Sequence, residues 1–489
     1  MKPEDILIDE RKKKLEVLRK QGVTPYPYSF EHKDTAAALL KHFEHLKNHE
    51  ETNHEVSIAG RIMTLRVMGK AGFAHIQDQT GRIQIYVRED AVGDKIYKLF
   101  STSDLGDIVG VKGIIFRTKT GEISIKIKTF ELLAKCLRPL PEKWHGLKDI
   151  EQRYRYRHLD LISNPDVKQT FITRSKIITT LRNVLDSRGF LEVDTPCVQP
   201  TYGGANARPF ETFLHDLKMK VYLRVSDELY LKRLVIGGFE KVYEIGRDFR
   251  NESVDRTHNP EFTMMECYWA YADYHDMMEL TEELFVMIAK QVLGTTRIDY
   301  QGTTINLETP WKRMTMKEAL LQHGKIDFDK LKDPELKKLL LKHKLEVEPF
   351  SRGNALSALF DELVEEHLIQ PTFITDYPRE STPLCKPKRN GHDELIERFE
   401  LFIAGMEFAN AYSELNDPVL QKKFFELQKK DVTKTEEQHP VDMEFIKAME
   451  YGMPPMGGLG IGLDRMIMLF TNSASIRDVI LFPFMKMEE

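Results

Sequence analysis

Cysteine is scarce in this chain. The four present, Cys136, Cys197, Cys267 and Cys385, lie far apart and form no CxxC pair, which argues against a zinc knuckle and a disulfide framework and fits a reducing compartment. Long apolar runs are missing as well: no stretch approaches the ~20 residues needed to cross a bilayer. The N-terminal MKPEDILIDE has no apolar core of the signal-peptide kind. Secretion and membrane insertion are therefore not expected, and a cytoplasmic location is. Charge of one sign is not in excess, since 71 basic side chains face 76 acidic ones for a net charge of −5; this neither demands nor excludes a nucleic-acid partner. Internal repeats, low-complexity tracts and the P-loop pattern are absent. What is present is an ordinary globular composition, 41% hydrophobic and 30% charged, over 489 residues. That length implies two or more domains.

The texture of the chain changes along its length. Residues 1–54 read as a helical extension: EDILIDERKKKLEVLRKQ (4–21) places Ile6, Leu7, Leu15, Val17 and Leu18 among charges and stops at Gly22. The His-rich stretch 42–54 follows, with His45 and His49 at helical i,i+4 spacing but no Cys or carboxylate arranged to complete a metal site, so they read as surface histidines. From 55 to 137 short alternating runs separated by QTGR and KTGE predict about five strands of a small barrel. RPLPEKWHGLKD (138–149) reads as a linker. Residues 150–489 form a larger α+β unit with amphipathic helices at 166–188 and 276–293, apolar strand-like runs at 190–193, 220–224, 240–250, 262–272 and 398–415, and a Lys- and Leu-rich, mostly helical insertion near 311–370.

Three constellations in the larger unit carry chemistry. FRNESVDRTHNPEF (249–262) holds charge of both signs, and Pro260 together with the flanking alternation places it between two strands of a hairpin. Arg250 and Arg256 offer planar forks suited to phosphate or carboxylate, and Phe262 offers a face for a nucleobase; a structural salt-bridge loop remains the alternative. GGLGIGLDR (457–465) is no full GxGxxG and reads as a glycine-rich strand entering a helix, with Arg465 at the junction. Its backbone either admits a flat ligand or makes a tight packing turn. In ERFELFIAGMEFANAYSELND (397–417), Glu400 lies on one strand face with Glu407 brought near it by an AG turn, and Asn410, Tyr412 and Glu414 repeat every second residue. Such acids mark either an exposed edge or a Mg2+ site on hard oxygen ligands.

RGFLEVDTP (188–196), FRNE…HNPEF (249–262) and GGLGIGLDR occur in the order of motifs 1, 2 and 3 of the class II aminoacyl-tRNA synthetases. With GGANARPF (203–210), DELYLKRL (227–234), FTMMECYWAYADY (262–274), NAYSELND (410–417) and IRDVILFP (476–483), the chain resembles the class II lysyl-tRNA synthetases in particular. The resemblance implies an antiparallel-sheet catalytic domain behind an N-terminal OB-fold barrel, and activation of L-lysine with ATP followed by transfer to the 3′ end of tRNA(Lys). It implies that Arg250 bridges the α-phosphate and the lysine carboxylate, that Glu252 and His258 contact ATP, that Phe262 stacks the adenine and that Arg465 covers its other face and the γ-phosphate. Glu400 and Glu407 match Mg2+ ligands. Gly204 and Glu228 match positions near the lysine α-amino group, Asn410 near the carboxylate, Glu266, Tyr268 and Glu414 around the ε-ammonium, and Tyr412 along the stem. Phe73, Gln84 and Glu122 match anticodon contacts in the barrel. Motif 1 implies a homodimer, with helix 166–188 offering Phe171, Ile177, Ile178, Leu181 and Leu185 for burial. The rival expectations are a lysine ligase that modifies a protein, against which the intact barrel argues, and a non-catalytic class II-like module that binds nucleic acid, against which retention of Arg250, Glu266, Glu400, Glu407 and Arg465 argues.

Overall fold

The computed structural model describes residues 3–141, 147–431 and 442–487 and divides into two units, residues 1–147 and 148–489. Of the stretch expected as a linker, residues 142–146 lie outside the described residues.

In the first unit an N-terminal helix, Pro3–Lys20, ends just before Gly22 at φ +78°, a conformation glycine adopts without strain. Of its apolar residues only Leu15 is fully buried, while Ile6, Leu7 and Val17 stay exposed. Five strands, β1 (Glu51–Met68), β2 (Ala71–Gln77), β3 (Arg82–Arg88), β4 (Ile108–Arg117) and β5 (Ile123–Ala134), close a barrel in the order β1-β2-β3-β5-β4. Strict alternation explains the closure: on β3 the buried Ile83, Ile85 and Val87 point inward between outward Gln84 and Tyr86. β1 begins at Glu51, inside the stretch expected to be helical. The histidine spacing is corrected too. The helix there ends at His42, and His49 has φ +68°, so His45 and His49 do not share a helical face.

The second unit is built on strands β6 (Leu191–Glu192), β7 (Val198–Gln199), β8 (Glu211–Leu214), β9 (Met219–Leu223), β10 (Lys241–Phe249), β11 (Glu261–Ala270), β12 (Arg297–Tyr300), β13 (Thr303–Asn306), β14 (Lys312–Thr315), β15 (Thr372–Pro378), β16 (Leu395–Ile403), β17 (Met406–Ser413) and β18 (Met456–Gly462). Eight of them form one sheet, ordered β14-β15-β16-β17-β18-β11-β10-β6, with parallel pairs only at its two ends. The start of the expected helical insertion is thus a sheet strand, β14, whose partner β15 lies far along the chain; helices Met316–Gln322, Asp333–Lys342 and Arg352–Leu363 follow it.

One sheet face packs on the helices Pro165–Ser187, Tyr274–Ile288 and Leu463–Phe470, forming the main core with Phe399, Leu401, Ala409, Ala411, Leu459 and Ile461. The first of these helices corrects an expectation. Ile177, Leu181 and Leu185 are fully buried within their own chain, because helical spacing turns them onto Tyr274–Ile288, so they cannot supply a subunit interface. Phe171 and Ile178 stay partly exposed, and the exposed apolar side chains nearby in sequence are Leu191, Val198, Phe213, Leu214 and Leu217. The other sheet face carries polar side chains at the same two-residue period and forms the floor of a cleft.

Candidate active site

Pairing of three neighbouring strands sets that floor. Across β17, β18 and β11 the rungs are Asn410–Gly460–Glu266 and Tyr412–Gly458–Tyr268. The middle residue of each rung is a glycine, so nothing rises from the centre of the floor. A Cβ on Gly458 would lie 2.0 Å from Glu414 Oε1 and 2.5 Å from Tyr268 Cε1. The GGLGIG segment is therefore a central strand kept bare between two polar ones. The cleft above it has a volume of about 460 Å³ and is lined by Gly204, Glu228, Arg250, Glu252, His258, Phe262, Glu266, Tyr268, Glu400, Glu407, Asn410, Tyr412, Glu414 and Arg465, whereas Arg256, the second arginine singled out in the charged loop, is not part of its lining.

One end of the cleft is a buried nest of carboxylates. Glu228 opens the helix Glu228–Ile236, and its backbone N–H donates to Ser226 Oγ at 3.1 Å. Ser226 Oγ donates to Glu266 Oε1 at 2.9 Å, and the Tyr268 hydroxyl donates to Glu266 Oε2 at 3.2 Å. Gly204, at φ +89°, closes over this end; a Cβ there would meet Ser226 Oγ at 2.9 Å. Burial pushes the carboxyls of Glu266 and Glu414 each up to about 8, with Asp248 and Glu228 adding to the effect at Glu266 and Lys232 opposing it at Glu414. Behind them Arg224, itself buried, pairs with Glu244 at 2.6 Å, Asp227 at 2.9 Å and Asp248 at 3.3 Å. Burial and the charge of Asp248 push Asp227 up to about 11, and burial against the pull of Arg224 leaves Asp248 at about 6. This end is thus short of positive charge, and a cationic group entering it would find partners.

The other end is built on the β10–β11 hairpin, whose register runs from Lys241 opposite Trp269 to Phe249 opposite Glu261. Arg250 begins the loop with its guanidinium 5.0 Å from the centre of the Phe262 ring. Its Nε is buried without a hydrogen-bond partner, and the residue lines the cleft. Glu252 is exposed and accepts from the Arg208 N–H at 3.4 Å. His258 is held by Asp255 at 2.9 Å and meets Arg465 Nη2 at 3.1 Å through Nε2. Arg465, in the first turn of the helix after β18, also donates to the Glu407 carbonyl at 2.9 Å. Two arginines and an aromatic ring thus line one end of the cleft.

Between the ends stand Glu400 and Glu407, on the two strands of the β16–β17 hairpin. Ala404 and Gly405, both at positive φ, make its turn, and a bulge at Leu401/Phe402 shifts the register so that Phe402 faces Glu407. Glu400 accepts from the Tyr377 hydroxyl at 2.7 Å and pairs with Arg398. Burial raises the Glu400 pKa, with Arg398 opposing and Glu407 reinforcing. Asp361 and Glu365, from the end of the inserted segment, add to the same negative field and are pushed up by burial to about 6 and about 7. Among the described residues no three His, Cys, Asp or Glu side chains are arranged as a complete metal-ligand set.

Three side chains that the motifs did not single out belong to this construction. Arg398 is sandwiched between the rings of Tyr377 and Tyr412, at 4.5 and 5.6 Å, and its Nε donates to Asn410 Oδ1 at 3.1 Å. Its two-residue offset from Glu400 was the available signal. Lys232 ion-pairs with both Glu228 and Glu414 and is completely buried; its i,i+4 spacing from Glu228 was legible, but its burial was not. Arg224 had no sequence signal.

In the first unit, Phe73, Gln84 and Glu122 lie together on one outer patch of the barrel. Phe73 is half-buried and stacks on Tyr86, opposite it on β3, with ring centres 4.6 Å apart. Gln84 Nε2 donates to Glu122 Oε2 at 2.7 Å, and His75 Nε2 contacts Glu122 Oε1 at 2.7 Å. Phe73 points away from the barrel interior, which its neighbour Ala74 helps to fill.

Comparison with known proteins gives two family matches. Residues 149–486 match the tRNA synthetases class II (D, K and N), and residues 56–133 match the OB-fold nucleic acid binding domain. The chain is 54% identical over 484 residues to the lysine–tRNA ligase of Carboxydothermus hydrogenoformans, covering 98% of each protein. It is 55% identical over 488 residues to the protein of that name from Pelotomaculum thermopropionicum, covering 99% of this chain and 95% of the relative. With that from Moorella thermoacetica the identity is 51% over 492 residues, covering 100% and 99%.

Proposed function

The chain belongs to the class II tRNA synthetases of the D, K and N group, and on that premise we propose that its cleft joins L-lysine to ATP as lysyl-adenylate and passes the lysyl group to the 3′ end of tRNA(Lys). It acts as a lysine–tRNA ligase, as do the relatives it matches over their full length. The observation that carries the substrate reading is the buried nest of Glu228, Glu266 and Glu414 at one end of a cleft whose other end holds Arg250 and Arg465. Lys232 pairs with one oxygen each of Glu228 and Glu414, and Glu266 has only the hydroxyls of Ser226 and Tyr268, so a ligand without a side-chain ammonium leaves Glu266 with no cation.

In this reading lysine lies along Tyr412, its α-amino group toward Gly204 and Glu228, its ε-ammonium toward Glu266, Tyr268 and Glu414, and its carboxylate toward Asn410 and Arg250. The adenine stacks on Phe262 beneath Arg465, with Glu252 and His258 at the nucleotide's edge. The lysine carboxylate oxygen attacks the α-phosphorus in line, the new O–P bond forms as the bond to pyrophosphate breaks, and Arg250 holds both anions as their charge redistributes. No side-chain nucleophile is required. The terminal ribose hydroxyl of the tRNA then attacks the acyl carbon, and AMP leaves. Glu400 and Glu407 supply hard oxygens whose mutual repulsion fits a Mg2+ ion, which when bound offsets the negative charge of the polyphosphate.

The barrel, with Phe73, Gln84 and Glu122 on one patch, binds unstacked anticodon bases. Residues 1–54, from which β1 enters the barrel at Glu51, 55–137, 138–149 and 150–489 act as extension, anticodon domain, linker and catalytic domain. A homodimer is supported by the exposed apolar Leu191, Val198, Phe213 and Leu214, and sedimentation at micromolar protein showing a stable monomer would contradict it. No helix is long and apolar enough to cross a membrane among the described residues, and the enzyme works in the cytoplasm. Incubation with ATP, labelled lysine and tRNA(Lys) tests the function: base-labile label on the RNA is expected, and label transferred to protein instead would overturn it.

A further inference from the structure

The cleft proposed to take lysine already contains one. Lys232 is completely buried, one helical turn beyond Glu228, and its ammonium sits between Glu228 Oε1 and Glu414 Oε2. Each carboxylate thereby spends one oxygen on Lys232. Its second oxygen, Oε2 of Glu228 or Oε1 of Glu414, stays free of that ion pair, and Oε1 of Glu414 lies over Gly458 on the cleft floor. The contact joins an acid placed near one end of the substrate to an acid placed near the other.

Charge bookkeeping gives this contact a purpose. Ionised, Glu228, Glu266 and Glu414 carry three negative charges, and Lys232 supplies one positive charge. The remainder equals the two ammonium groups of a free lysine. We propose that Lys232 is a positioning residue for substrate selection: its ammonium ties Glu228 and Glu414 together at a fixed separation and leaves one oxygen of each for the ligand, so that the cleft takes an amino acid bearing a cation at each end. The inference rests on the lysine reading above and adds to it the residue that makes the acids selective.

Groups from every element packed here bear on the pH dependence. Glu266 and Tyr268 face the pair from β11, Tyr412 from β17, and Cys385 and Lys386 from the segment bridged to Glu414. Burial raises Tyr268, Tyr412 and Cys385, so they stay neutral through the working range, and Glu266 and Glu414 titrate there, each at about 8, with Asp248 beside Glu266 at about 6. Glu228 and Glu414 in turn hold Lys232 protonated, raising its pKa against its burial. Lysine capture should accordingly strengthen as pH rises toward 8, and loss of Lys232 should move that rise to higher pH.

Lys232→Met removes the ammonium and keeps much of the stem. In lysine-dependent ATP–pyrophosphate exchange from pH 6.5 to 9, KM for lysine is expected to rise about ten-fold or more at pH 7, as for a buried pair that loses one partner. KM for ATP should be unchanged, and the rise of kcat/KM with pH should shift upward by about one unit. Lys232→Arg keeps the charge but displaces it, so KM for lysine should rise while the position of the pH limb holds. If Lys232→Met does not fold, that KM rise in Lys232→Arg decides. Equal losses for ATP and lysine, an unchanged lysine KM in either folded variant, or an unmoved pH limb in Lys232→Met would overturn the proposal. A wild-type protein that activates no lysine would instead overturn the substrate reading beneath it.

Discussion

Replacing Glu266 by Gln removes a charge while keeping the shape of the side chain; its amide oxygen can still accept from one of Ser226 and Tyr268, and its NH2 group meets the other hydroxyl as a donor. Truncating one partner of a buried charge pair costs about 2–5 kcal/mol. The wild-type enzyme does not gain all of that at neutral pH. Its carboxyl stands at about 8 in the empty cleft because burial disfavours the charge, so at pH 7 it must first give up a proton, at about 1.4 kcal/mol per pH unit. The neutral amide of the Glu266→Gln variant is spared that cost. The net loss at pH 7 is therefore about 1–4 kcal/mol, or roughly five-fold to several-hundred-fold in KM for lysine. Above pH 8 the wild-type cost vanishes and the gap should widen by up to about ten-fold. The sign follows from the raised pKa, since a group protonated in the empty site and ionised in the complex makes binding tighten as pH rises toward that pKa. ATP–pyrophosphate exchange at pH 7 and pH 8.5, with lysine and ATP titrated separately, reads all of this. A KM for ATP that rises in step with that for lysine, or a wild-type to variant ratio unchanged between the two pH values, would refute the placement of Glu266 against a substrate ammonium.

Arg250→Ala should lower kcat/KM for both ATP and lysine by about 100-fold or more, the range for removing one pre-placed charge-stabilising donor; unchanged circular dichroism with near-normal exchange would mean the loop is structural. Gly458→Ala puts a methyl 2.0 Å from Glu414 Oε1, so lysine KM should rise by about ten-fold or more, the size expected when buried charge partners are displaced; a normal lysine KM would show that the floor is not where lysine lies. Phe73→Ala should lose about 1–3 kcal/mol of tRNA binding, as for one stacked base, with adenylate formation unchanged. Because Phe73 is half-buried and faces outward, the melting of the barrel should shift only slightly; a melted barrel with a normal KM for tRNA would retire Phe73 as a contact.

Much of this was legible because local pattern and global fold agree. The alternation in GRIQIYVR gives β3 directly, and the charged loop between two alternating runs gives the β10–β11 hairpin. Apart from Glu407, which the bulge brings onto the same face from three residues before Asn410, the site residues on β16, β17 and β18 follow the two-residue period, so their common face could be read before their neighbours were known. Pairing between distant segments was not legible. Nothing local shows that β18 lies between β17 and β11, which is what makes Gly458 and Gly460 the floor rather than a turn, or that β14 joins the sheet edge beside β15. Burial of charge was hidden for the same reason. Nothing local marks Lys232 as buried; its burial comes from Glu414, just past the end of β17, packed against it. The helix Pro165–Ser187 erred in the opposite direction: its apolar stripe was visible, but only packing shows that Ile177, Leu181 and Leu185 turn onto the chain's own core.

The central claim is that the three buried acids select lysine for activation, and pyrophosphate exchange with each of the common amino acids, offered singly with ATP and Mg2+, tests it most directly. Exchange is expected with lysine alone, with arginine and the neutral long-chain amino acids near background. Exchange supported equally by methionine or leucine, or none supported by lysine, would contradict it.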